Sequence, residues 1–305
     1  MSSVNLVIEC RQLRMRYGHK DVLAGVDFDV AAGETVALLG PNGAGKTTTI
    51  EVLEGFRNRS AGLVSVFGVD PWHGDERWRS RIGVVLQSWR DHPKWRVREL
   101  LAYQSSLYVP SAPAEASRPW DVADLLGALD LEDLADAQIR TLSGGQRRRL
   151  DIAIGLVGRP DVLFLDEPTA GLDPRARRDF LALIKRVGDD LGSTILITTH
   201  DLDEAEELAD RILILVGGRV IATGTSHELT NQIAGQDRVR WAVDGHRHEH
   251  STDDSTAFTR ELFARYGEQV HDLEVRRASL EDAYLSIVQA AEQDTAPGGI
   301  EEKAA

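Results

Sequence analysis

Residues 40 to 47 read GPNGAGKT, and few stretches of eight residues narrow the possible folds as sharply. The apolar run ETVALL leads in and KTTTIEVLE leads out, stopping at Gly55, so the spacing G-x-x-x-x-G-K-[ST] falls between a predicted strand and a predicted helix. Such a loop closes its backbone amides around phosphate groups, because its glycines have no side chain in the way. Lys46 adds charge for the outer phosphates, the helix start adds its dipole, and the Thr47 hydroxyl is a candidate magnesium ligand. The expected ligand is a nucleoside triphosphate, bound by Gly40, Pro41, Asn42, Gly43, Ala44, Gly45, Lys46, Thr47 and Thr48.

A strand that feeds this loop needs neighbours. VIEC, IGVVLQ, DVLFLDE, STILITTH and RILILV are short apolar runs separated by longer amphipathic stretches, the pattern of a mostly buried parallel sheet flanked by helices. Residues 1–225 are therefore read as one α/β domain. VDFDV, which alternates strictly between Gly25 and Gly33, is read as part of an antiparallel side layer. From about 88 to 142 the strand signal gives way to helical spacing, interrupted by YVPSAPAEASRP, which marks a helical insert. Residues 226–290 are read as a small α+β appendix: a hairpin turning at Asp244-Gly245, helix TAFTRELFARYG, strand HDLEVRR and helix SLEDAYLSIVQAA. Residues 291–305 are polar and rich in Gly and Pro, and are expected to be a disordered tail.

Two further strand ends carry chemistry. VLFLDE places Asp166 and Glu167 at the end of an apolar strand, just before Pro168. Neighbours in a strand point to opposite sides, so Asp166 is assigned to magnesium and Glu167 to polarising a water for attack on the γ-phosphate. STILITTH ends in His200, followed by the acidic helix start DLDEAEELAD, and a γ-phosphate contact is assigned to it. LSGGQRRRLDIAIGL opens a second anion-ready helix start with Ser143, Gly144, Gly145 and Gln146. With one magnesium and water apparatus beside two such starts, the second either serves another nucleotide or caps the site of a second molecule, and the latter economy implies a head-to-tail dimer. Arg147 to Arg149 are read as a solvated helix face.

With these motifs in view, the chain resembles the ATP-binding subunit of an ABC transporter, a P-loop NTPase of ABC type, over residues 17 to 200. The resemblance implies that Tyr17 stacks on adenine, that Gln87 touches magnesium and senses a membrane partner, and that Asp173 contacts the dimer partner. It also implies ATP and Mg2+ as cofactors, with an intact hydrolytic set. SLEDAYLSIV is similar to the C-terminal segment of drug-resistance ATPases of the ABC-2 exporter class, which work with separately encoded permeases. The implied location is cytoplasmic, peripheral on the inner face of the cell membrane.

Composition bears on the competing readings. A net charge of −14 disfavours nonspecific nucleic-acid binding, and no partner of that kind is expected. A soluble ABC protein acting on ribosomes or DNA is the alternative, weakened by the single cassette, the single cysteine and the lack of a heptad run. A regulator without turnover is disfavoured by Glu167 and His200. Nothing near Met1 resembles a signal peptide, and the apolar runs fall far short of the roughly 18 residues a membrane span requires. Cys10, in LVIEC, is read as a buried, inert thiol. Trp89 and Trp95 are read as core of the insert, with a membrane-partner anchor as the other possibility. His246, His248 and His250 share one hairpin face opposite Val and Trp, a pattern of packing rather than of metal ligation.

Overall fold

The computed structural model describes residues 5–85, 93–109, 118–233, 237–276 and 279–295. Strict alternation turns Val26, Phe28 and Val30 inward along β2 (Lys20–Ala31), which pairs antiparallel with β1 (Leu6–Tyr17) in a register that sets Cys10 against Phe28. β4 (Ala61–Val66) pairs with the other edge of β1. The loop-feeding strand β3 (Thr35–Leu39) is buried at all five residues, as a strand covered on both faces must be. It lies in a sheet with β5 (Ile82–Val85), β6 (Val162–Asp166), β7 (Thr194–Thr199), β8 (Arg211–Val216) and β9 (Arg219–Gly224), ordered β5-β6-β7-β3-β8-β9. The pairs β5/β6, β6/β7, β7/β3 and β3/β8 are parallel.

Helix α1 (Lys46–Leu53) touches β2 and β4 on one side and β6 and β7 on the other, so it is packed between the two sheets. Ile50, Val52 and Leu53 join Phe28, Leu38, Phe164 and Leu196 in one apolar core. The remaining helices of this part are α2 (Glu76–Arg79), α3 (Val97–Tyr108), α4 (Val122–Ala128), α5 (Gly144–Leu156), α6 (Pro174–Leu191) and α7 (Leu202–Leu208). Trp95 stands edge-on to Tyr103 at 5.6 Å between centroids. It is only half-buried and Tyr103 is exposed, so the expectation of a core residue is corrected: the indole lies against an exposed ring instead of inside the insert.

The chain divides into two compact units, Met1–Val220 and Ile221–Ala305. The second contains α8 (Ser226–Ile233), β10 (Asp237–Val243), β11 (His246–Thr252), α9 (Ser255–Tyr266), β12 (His271–Arg276) and α10 (Leu280–Thr295), with its sheet ordered β11-β10-β12. The hairpin has the expected pairs: Val243 with His246, Trp241 with His248, Val239 with His250 and Arg240 with Glu249. His248 stacks on Trp241 and His250 on Phe258, at 5.3 and 4.3 Å between ring centroids.

Two expectations are corrected here. The sequence reading passed over α8, whose SHELTNQI is short and polar, although Thr225 and Glu228 bond across its first turn. α10 runs through Thr295, five residues into the expected tail, because EQDT continues a helical register; residues 296–305 lie outside the described residues. Cys10 is buried, as expected, and burial pushes its thiol pKa well above the ordinary range. A thiol reagent is expected to leave the native protein unlabelled while it labels the denatured chain fully. Stoichiometric labelling in native buffer would contradict this placement.

Candidate functional site

Parallel register brings three strand ends together. Leu39 lies opposite Thr199, and Asp166 lies opposite Thr198, so the segments that leave β3, β6 and β7 emerge side by side at the carboxyl edge of the sheet. The loop from Gly40 to Gly45 turns there into α1. At Gly40 a side chain is impossible, since an added Cβ would lie 2.3 Å from the Leu215 carbonyl oxygen. Gly45 has φ of 108° and is pressed against Leu23, so it is restricted both by conformation and by space.

Lys46 reaches back under this loop. It is 4% exposed, donates to the Gly40 and Pro41 carbonyls at 2.8 and 3.2 Å, and lies 3.1 Å from Glu167 Oε1. The imidazole Nδ1 of His200 is 3.5 Å from the same Glu167 oxygen, and its ring is more than half exposed. Asp166 accepts from the hydroxyls of Thr198 at 2.6 Å and Thr47 at 3.3 Å. Lys46, Thr47, Asp166, Glu167 and His200 thus form one connected group.

The separation of the two carboxylates has a different origin from the one expected. Asp166 is the last residue of β6, but Glu167 has already left the strand, with a left-handed φ of 42°. Its amide is held by the Thr198 hydroxyl at 3.0 Å. A turned backbone, and not strand alternation, aims Glu167 at Lys46.

Ser143 caps α5 through a reciprocal bond with Gln146, Oγ accepting at 3.3 Å and the Ser143 amide donating to Gln146 Oε1 at 2.9 Å. Asp173 caps α6, accepting from the amides of Arg175 and Ala176, both at 2.9 Å. A Cβ on Gly145 would lie 3.4 Å from Ala176, so the two helix starts are neighbours. The hydrogen bonds of Ser143 and Gln146 close on each other and include none of residues 40–47. Tyr17 ends β1, is 38% exposed, and has the Arg57 guanidinium 5.0 Å from its ring centroid. Gln87 and Trp89 lie outside the described residues.

Three features escaped the sequence reading. The triple arginine is not a solvated face: Arg148 is buried, donates to the Pro168 carbonyl next to Glu167, and pairs with the buried Asp151 at 3.5 Å. Arg147 holds the same carboxylate at 2.7 Å. Burial lowers the Arg148 pKa and raises that of Asp151, and the arginines offset part of the latter. Second, Glu204 is 2% exposed, where an acidic helix start would be solvated. It accepts from the hydroxyls of Thr199, at 2.6 Å, and Thr169, and pairs with Arg177 at 3.0 Å. Its place in LDEAEE gives no hint of this, but Thr199 and Thr169, each two residues or fewer from a predicted site residue, are a retrospective signal.

Third, Glu54 ends α1 with Oε1 buried and without a hydrogen-bond partner. Burial, then repulsion from Asp166 and Glu51, pushes its pKa up to about 8.

Comparison with known proteins settles the family. Residues 23–170 match the model described as ABC transporter. A Nod factor export ATP-binding protein I of Burkholderia orbicola is 44% identical over 236 residues, covering 76% of this chain and 75% of the relative. The chain belongs to the ABC transporter family. A daunorubicin resistance ATP-binding protein of Streptomyces coeruleorubidus is 42% identical over 225 residues, covering 73% and 69% of the two chains. Among solved structures, an ATP binding subunit of an ABC transporter superposes with a TM-score of 0.66 at 26% identity, covering 92% of this chain and 99% of that one. The two-sheet architecture with its phosphate loop is the ABC ATPase fold, and the expected likeness to ABC-2 exporter ATPases holds. The chain is an ATP-binding ATPase subunit. Among the described residues, no helix is long and apolar enough to cross a membrane.

Glu54 yields a test. Its carboxyl keeps its proton in the folded protein until about pH 8 but loses it near pH 4.5 when unfolded. Between these values the folded state therefore binds more protons, and stability falls as pH rises by at most about 1.4 kcal/mol per unit. Glu54→Gln is expected to flatten that decline in denaturant titrations of nucleotide-free protein. Parallel pH profiles for the two proteins would refute the assignment.

Proposed function

We propose that this chain hydrolyses ATP to drive a separately encoded membrane permease that exports a drug-like or lipophilic compound. The observation that carries the reading is the convergence of Lys46, Thr47, Asp166, Glu167 and His200 at one sheet edge. The export names of the relatives favour the direction of transport and its class of substrate. In this reading the cassette is residues 1–225 with a helical subdomain at about 88–142, an appendix follows from 226 to the end of α10 at Thr295, and the protein is peripheral on the inner face of the membrane.

The residues divide the work as follows. Lys46 and the backbone N–H groups from Asn42 to Thr48 hold the phosphate chain, with Gly40 and Pro41 turning the loop, and Tyr17 offers its exposed ring to adenine. Thr47 and Asp166, hard oxygen donors already within 3.3 Å of each other, suit Mg2+, with Gln87 as a further ligand. When bound, Mg2+ neutralises charge on the phosphates. Glu167 takes the proton of the attacking water, a role supported by its position 3.1 Å from Lys46. His200, 3.5 Å from Glu167, contacts the γ-phosphate from its exposed side.

Ser143, Gly144, Gly145 and Gln146, with Asp173, serve the nucleotide of a second subunit in a head-to-tail dimer. Supporting this, Ser143 and Gln146 bond to each other, and Asp173 stands at the adjoining helix start.

Pull-down of tagged Glu167→Gln protein from solubilised membranes of its host, with ATP, is expected to recover a small polytopic protein. Recovery of ribosomes or repair proteins without a membrane protein would establish the soluble alternative. In solution the same variant is expected to form an ATP-dependent dimer by light scattering, while a monomer in excess ATP would oppose the scheme. Ser143→Arg is expected to lower turnover at least a hundredfold yet keep ATP bound. Loss of ATP binding equal to that of Lys46→Ala would remove Ser143 from the cross-dimer role.

A further inference from the structure

The small sheet of the second unit ends on an open edge. β11 is the outer strand in the order β11-β10-β12, and among the described residues no strand lies beyond it. His246 to Ser251 are all exposed. Such an edge is a template for another strand, and proteins commonly guard it with charge. Here the order is His246, Arg247, His248, Glu249, His250, which is its own complement when read backwards.

The turn fixes which of these residues offer their backbone. Asp244 and Gly245 have φ of 52° and 76°, both positive as a type I′ turn requires, so the flanking pair, Val243 and His246, is a hydrogen-bonded one. Pairs alternate from there. The amides and carbonyls of His246, His248 and His250 turn toward β10, and those of Arg247, Glu249 and Ser251 turn outward. A second copy of the strand must meet this outward set with its own, which places the two-fold axis of a symmetric antiparallel pair at a residue. An axis at Arg247 or Glu249 sets like charges together, and one at His246, His250 or Ser251 leaves both without an opposite charge within the strand. Only an axis at His248 sets Arg247 against Glu249 of the second copy, twice over. The charges thus guard the edge against other registers while admitting one. The side chains agree with it. Arg240 Nε donates to Glu249 at 3.1 Å, so in this register each Glu249 lies between two guanidiniums. On the other face His248 meets its own copy and His246 meets His250, while His248 and His250 keep their stacking on Trp241 and Phe258.

We propose that β11 pairs antiparallel with β11 of a second copy of this chain, about a two-fold axis at His248, and joins two three-stranded sheets into one of six strands. The contact is isologous, the same surface serving both partners. It lies wholly in the second unit and needs no nucleotide, so it stands apart from the ATP-dependent dimer. One strand edge is a small contact, and a reversible association in the micromolar range is expected.

The test is sedimentation equilibrium of the full chain, free of nucleotide, at pH 8 and across the micromolar range. A monomer–dimer equilibrium is expected. Arg247→Glu and Glu249→Arg should each raise its dissociation constant about tenfold, since each turns two opposite-charge pairs into two like-charge ones. An equimolar mixture of the two variants should associate as tightly as the unmodified chain, because opposite charges are restored at both positions. Register is read separately with cysteine. The native thiol of Cys10 is buried, so under mild oxidation His248→Cys is expected to give a covalent dimer, and His250→Cys, which faces His246 of the second copy, is not. If Glu249→Arg fails to fold, the cysteine pair decides. A monomer at every concentration, a dimer indifferent to both charge reversals, a mixture as weak as either variant alone, or equal crosslinking at positions 248 and 250 would overturn the proposal.

Discussion

A lysine amine as buried as that of Lys46 must be met by oxygen, because an ammonium shut away from water without partners is far too costly. The chain meets it with the carbonyls of Gly40 and Pro41 and the carboxylate of Glu167. Each partner makes its own demand. Gly40 has to run beneath the Leu215 carbonyl, where no Cβ fits. Glu167 has to leave its strand with a left-handed backbone, held by Thr198. β3, β7 and β6 have to lie in parallel register so that these segments meet at all. The fold of the first unit can be read as the set of conditions that keeps one cation inside.

Most of this was legible in the sequence, for physical reasons. Strands buried on both faces announce themselves as unbroken apolar runs, and the glycine spacing at residues 40–45 has few uses other than enclosing an anion. The hairpin at Asp244-Gly245 was readable to the residue, since a two-residue turn dictates every pair that follows.

What could not be read were polar residues whose burial depends on distant parts of the chain. RRR looks like a charged surface until Arg148 is seen to reach Pro168, twenty residues away, with Asp151 beside it. Glu204 looks like a favourable charge at a helix start until two threonines from separate strand exits converge on it. Glu54 has no nearby marker whatever, since the burial and the repulsion from Asp166 that raise its pKa arise only in the folded chain. Local sequence carries propensity and pattern, whereas these residues are placed by tertiary packing.

The two hydroxyls that converge on Glu204 have a mechanical meaning. Thr169 follows Glu167 and Thr199 precedes His200, and Arg177 ties the same carboxylate to α6. The exits of β6 and β7 are riveted together at a buried joint, so neither can swing without dragging the other. A push delivered to α6 or α7 would displace carboxylate and imidazole together, as one jaw.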